Sequence, residues 1–190
     1  MVNIRKWLAT VASCSGVALT ACGGGGGSSD TSSVRVVNAT LSHAAIDVLV
    51  NGSPTLSAIA SDNVSNYASV PAGSPALQVN DNATGGALAT LAPSVAKDSH
   101  YVAVAYESGG VLHTTVIAED AAAPASGTAS LRVFDAASDA GAIDVYITDP
   151  ASDITTLSSP TFTFAASTSL QASGFLSIAP GTSSCVCSTP

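Results

Sequence analysis

Arg35-Val36-Val37-Asn38-Ala39, running on to Ala45-Ile46-Asp47-Val48, sets the architecture of this chain. Ninety-seven residues later Arg132-Val133-Phe134-Asp135-Ala136 runs on to Ala142-Ile143-Asp144-Val145. Aligned without a gap, seven of the fourteen positions are identical. Matches of Ala and Val are cheap in a chain rich in both, but an Arg and an Asp repeated at one spacing are not. Two copies of one module follow. In the first copy apolar residues alternate at Val34 and Val36, then at Ile46, Val48 and Val50. That is the period of strands with one buried face.

Outward from these strands, turn chemistry marks the rest of residues 33–119, the first module. Asn51-Gly52 is a hairpin signal because both residues tolerate positive φ, and Leu56 to Ala60 is the return strand. Tyr67 to Val70 leads into Pro71-Ala72-Gly73, a fixed φ followed by a permissive one. Ala76 to Asn80 and Ala87 to Leu91 continue the series, and Tyr101 to Tyr106 turns through Gly109-Gly110 into Val111 to Ala118. No stretch carries a helical period. Short strands at close spacing predict an all-β fold, a β-sandwich of immunoglobulin-like type.

Residues 120–127 are small and Pro-broken, a linker. Residues 128–190 are the second module, in which Leu131 to Asp135 and Ile143 to Thr148 repeat the first two strands. An insertion near Ser152 to Leu170 lengthens it, and Phe162, Phe164 and Phe175 suit core or inter-module packing. After Pro180-Gly181 few residues remain, and Thr182 to Ser188 lacks strand-like alternation. The second module therefore reads as truncated, in want of strands that a partner chain would donate.

The motifs Arg35-Val36-Val37-Asn38-Ala39, Ala45-Ile46-Asp47-Val48 with Asn51-Gly52, and Tyr67 with Val70-Pro71-Ala72-Gly73 resemble a family of bacterial extracytoplasmic repeats, domain of unknown function 4397. The second copy repeats the first two motifs and keeps Pro180-Gly181. The resemblance implies an all-β fold, tandem occurrence and a lipoprotein or secreted setting. It brings no catalytic residues.

Residues 1–21 read as a signal peptide: Arg5 and Lys6, then an apolar run from Leu8 to Thr20 that is too short to span a bilayer. Leu19-Thr20-Ala21-Cys22 resembles the bacterial lipobox, with cleavage between Ala21 and Cys22 and acylation of Cys22. Residues 22–32, with Gly23 to Gly27, Ser28 and Ser29, form a flexible tether. The expected location is the cell envelope, lipid-anchored, with the outer membrane favoured where there are two.

Beyond the signal, three cations (Arg35, Lys97, Arg132) face thirteen acids, a net charge of −10. Such a surface repels phosphate backbones, which argues against nucleic acid. If Arg35 and Asp47 both point outward from neighbouring strands, Arg35–Asp47 and Arg132–Asp144 are matching cross-strand ion pairs. No hydrolase elbow, phosphate loop or zinc-type spacing is present. His43, His100 and His113 stand apart, although His100 and His113 flank one predicted hairpin. Asp135, Asp139, Asp144, Asp149 and Asp153 read as loop acids and turn caps. Cys185-x-Cys187 is too close for an easy disulfide. No catalytic residue, cofactor or metal ligand is assigned. The expected function is non-enzymatic: a lipid-anchored binding, adhesion or structural protein with an envelope protein or polysaccharide as partner. The alternative is an accessory or carrier subunit for a small molecule or a secreted enzyme.

Overall fold

A computed structural model describes residues 30–181 and 183–189, and apart from a 3-10 turn at Ile154–Thr156 its regular structure is all β. The expected signal peptide, the expected cleavage and acylation site at Ala21 and Cys22, and most of the expected tether lie outside the described residues.

Strand β1 (Thr31–Ala39) alternates half-buried and buried positions over its whole length. Alternate side chains leave opposite faces of a pleated strand, so Val34 and Val36 enter the core together. Four strands are built on it. One edge runs parallel to β8 (His100–Ser108), which pairs antiparallel with β9 (Val111–Ala118). The other edge takes β5 (Ala68–Pro71) along Thr31–Val34 and β4 (Asn63–Val64) along Val37–Asn38. The facing sheet is antiparallel throughout, in the order β3 (Ser53–Ala60), β2 (Ala45–Val50), β6 (Leu77–Asp81), β7 (Ala87–Leu91). Its Ile46, Val48, Val50, Leu77 and Val79 meet Val34, Val36, Val70, Ala103 and Ala105 of the first sheet in one core. The β-sandwich expected from the sequence is the observed fold.

The β2–β3 turn has Asn51 at φ 50° and Gly52 at φ 80°, the twist that returns a strand onto its neighbour. Because β1 is parallel to β8 and β9 runs back, Thr31 and Ala118 lie at one end of the sandwich. The β1–β2 loop and the Gly109-Gly110 turn lie at the other.

Three small sheets follow. Strand β10 (Ala129–Leu131) pairs with β15 (Leu176–Ile178), and β11 (Phe134–Asp135) pairs with β14 (Gln171–Ala172). Strand β12 (Ile143–Thr148) lies between β13 (Phe162–Phe164) and β16 (Ser184–Ser188). Val145 and Phe164 are buried, whereas Cys185 and Cys187 are exposed. The last strand corrects the reading of the tail. Ser184–Ser188 pairs with β12 along its whole length because ladder bonds come from the main chain and need no apolar alternation.

Candidate functional site

At the far end of the sandwich the β1–β2 loop is tied down by side chains. Asn38 and Thr40 are wholly buried. Asn38 Nδ2 donates to the Ile59 carbonyl at 3.0 Å, and its Oδ1 accepts from Thr40 N at 3.1 Å and Thr40 Oγ1 at 2.7 Å. Above them Glu107, from the end of β8, accepts from the Leu41 and Ser42 amides at 3.3 and 3.2 Å and from the Ser42 hydroxyl. His43 Nδ1 lies 2.9 Å from Asp81 Oδ2, and its Nε2 lies 4.0 Å from Glu107 Oε1.

These contacts set the electrostatics of the loop. The bond to His43, with those from Thr84, holds the Asp81 carboxyl at about 2. The Ser42 hydroxyl and the two amides hold Glu107 below the usual carboxylate range. Ser, His and Asp thus share a cluster without forming a nucleophile–base pair. The Ser42 hydroxyl donates to Glu107, whereas a triad needs it against the imidazole. The arrangement fastens a loop whose Leu41 remains 89% exposed.

At the near end lies the second cluster, and here the expected ion pairs are corrected. Arg35 pairs with Glu119, its Nε 3.0 Å from both carboxylate oxygens and its Nη2 on Oε1. Asp47 accepts instead from Ala58 N at 2.8 Å and from Asn82 Nδ2. The reason is topological: Thr40 to Ala44 carry the chain across the core, so β1 and β2 face each other in different sheets. Arg132 and Asp144 part in the same way. Arg132 Nε donates to the Ser173 carbonyl at 3.0 Å and Nη1 to the Ala118 carbonyl at 3.1 Å, while Asp144 accepts from Thr163 Oγ1 at 2.8 Å.

Both arginines lie over rings. Arg35 stands 5.2 Å from the Tyr67 centroid, and the Tyr67 hydroxyl donates to Glu119 at 2.8 Å. Burial, then that bond, pushes the Tyr67 phenol up, and the bond to Glu119 raises the Arg35 guanidinium. Arg132 lies 5.4 Å from the Phe134 ring centre and 5.1 Å from that of Phe175. Between the two arginines is a cleft of about 270 Å³, lined also by Glu119 and Ser130. Sequence reading found both arginines. It missed Glu119, 84 residues from Arg35, at the last position of the first module, where no local pattern marks a partner.

His100 and His113 are not neighbours. His100 opens β8 and bonds Asp120 at 3.0 Å, whereas His113 lies opposite Tyr106 and stacks on it. Cys185 and Cys187 are free, and burial then Cys187 push the Cys185 thiol up. Among the described residues no three His, Cys, Asp or Glu gather as a metal site.

Comparison with known proteins bears on the chain as a whole. No curated protein matches it. Residues 32–146 match the family described as Domain of unknown function (DUF4397). That match takes in the sandwich from Ser32 and runs on through β10, Arg132 and β11 to Tyr146 in β12. Covering more than half of the sequence, it shows that the chain belongs to the DUF4397 family.

Proposed function

We propose that this protein is a lipid-anchored, non-enzymatic binding protein of the cell envelope, built from two copies of one β module. The repeated register is the observation that supports the two-copy part of this reading. Val37 faces Val64 and Asn38 faces Asn63; 97 and 108 residues on, Phe134 faces Ala172 and Asp135 faces Gln171. Ser32 faces Val70 where Ala129 faces Ile178. Val36 N donates to Ser65 Oγ at 2.9 Å, and Val133 N donates to Ser173 Oγ at 3.0 Å. The two offsets differ by eleven, which agrees with an insertion near Ser152 to Leu170, between the paired segments.

The anchor rests on Ala21-Cys22 at the end of the apolar run and on the Gly/Ser tether behind it. Two acyl chains suffice for stable attachment. A non-enzymatic role agrees with a Ser42 hydroxyl committed to Glu107. The cleft at Arg132 favours the second reading, a carrier or accessory subunit. In the anchor test, mass spectrometry of the mature protein should find an acylated N-terminus at Cys22, and Cys22→Ala should leave the lipid fraction or stay uncleaved. A free N-terminus elsewhere would end the lipoprotein reading. Capture from envelope extract separates polymer or neighbour binding from service to one enzyme.

A further inference from the structure

The N-terminal sandwich displays what its arginine holds. Arg35 lies on the ring of Tyr67 and closes its fork on the carboxylate of Glu119. At the duplicated offsets Arg132 stands for Arg35 and Phe175 for Tyr67, with nearly the same distance from guanidinium to ring, 5.1 against 5.2 Å. No carboxylate reaches Arg132 among the described residues. Its Nε and one Nη1 donor go to backbone carbonyls, so three of its five N–H donors, two of them on Nη2, have no partner there.

With Phe134 and Phe175 both within cation–π distance of its Cζ, the guanidinium packs against apolar rings, and its remaining donors lie in its own plane, as a fork. Phe134 and Phe175 are themselves 36% and 47% exposed. In a chain with so few cations, an arginine without a carboxylate beside exposed rings is a marked local departure from the acidic surface. We propose that the cleft at Arg132 binds a small organic carboxylate with an apolar or aromatic body, its carboxylate meeting the Nη2 and remaining Nη1 donors, because the Nε edge that Glu119 takes on Arg35 is here given to the Ser173 carbonyl. The inference rests on the reading of residues 128–190 as a second copy. A volume of about 270 Å³, near the lower limit for ligand sites, suits an arylacetate rather than a polymer.

The test titrates the mature protein in detergent with phenylacetate and, separately, with phenylacetamide, followed by calorimetry. The acid should bind about tenfold or more tightly than the amide, because the amide offers no charge to the fork. Arg132→Lys should weaken the acid by a similar factor, since an ammonium lacks the fork, while Lys97→Met leaves it unchanged. Equal binding of acid and amide, or no binding of either, would overturn the proposal without recourse to any variant. Contacts between β11 and β14 in nuclear Overhauser spectra test the duplication separately. Their presence without acid preference removes the ligand and keeps the repeat; acid preference without them does the reverse.

Discussion

Asn38 shows how much one side chain settles. It stood in the quoted motif as a strand residue, and its apolar neighbours were legible from their alternation. Its own work was not, because the partners Ile59 and Thr40 belong to a bulged strand and a loop whose meeting no local pattern announces. The same holds for Asp47. It secures a bulge where Ala58 takes φ 52°, and a charge at a repeated spacing suggested an ion pair instead. Removing the Asn38 amide takes a donor from the Ile59 carbonyl and the acceptor from the buried Thr40 N–H, while the Thr40 hydroxyl keeps the His43 carbonyl. Asn38→Ala should therefore cost about 2–3 kcal/mol, read as a lower urea midpoint at unchanged slope. A midpoint equal to that of the parent would mean that water replaces the amide at no cost.

Strands declared themselves in proportion to length and turn chemistry. Strand β2 carries period-two alternation up to Asn51-Gly52, and β8 and β9 are β-prone runs joined by Gly109-Gly110; all three were found. Strand β4 is two residues long and β16 is Ser- and Cys-rich, so neither has a side-chain signature to read. The hairpin at Asn51-Gly52 fixes which face of β3 meets the core. A β-branched residue at Gly52 must adopt φ near 80°, so Gly52→Val should lose about 1–3 kcal/mol. Gly174→Ala, where no positive φ is required and a Cβ meets nothing within 4 Å, is the matched control. Equal melting shifts in the two would remove the turn as the cause.

For the molecule as a whole, acid is the informative stress. Asp81, Glu107 and Asp120 all have folded-state pKa values below their ordinary ones, chiefly through bonds from His43, Ser42 and the His100 amide respectively. A depressed carboxylate stabilises fully above its unfolded value and loses that contribution as pH falls through the folded one. Stability should hold above the ordinary Glu value of 4.5 and fall toward pH 2. In Asp81→Asn the urea midpoint should depend less steeply on pH between these limits; an unchanged slope would mean that Asp81 does not report on the fold. The proposed duplication was suggested at this scale by an Arg and an Asp that recur at one spacing. The partners of each charge were not, since they depend on which sheet each strand joins.

The parallel union of β1 with β8 also has a consequence in time. Ser32 bonds to the Ser99 carbonyl across 67 positions of chain, so the strand that is made first finds its central neighbour late. Until His100–Ser108 arrives, one edge of β1 stays unpaired, with Val34 and Val36 in line beside it. Loop closure of this length slows folding, and an open apolar edge invites pairing with other chains. The sandwich is at its most vulnerable in that interval, between the birth of its first strand and the arrival of its eighth.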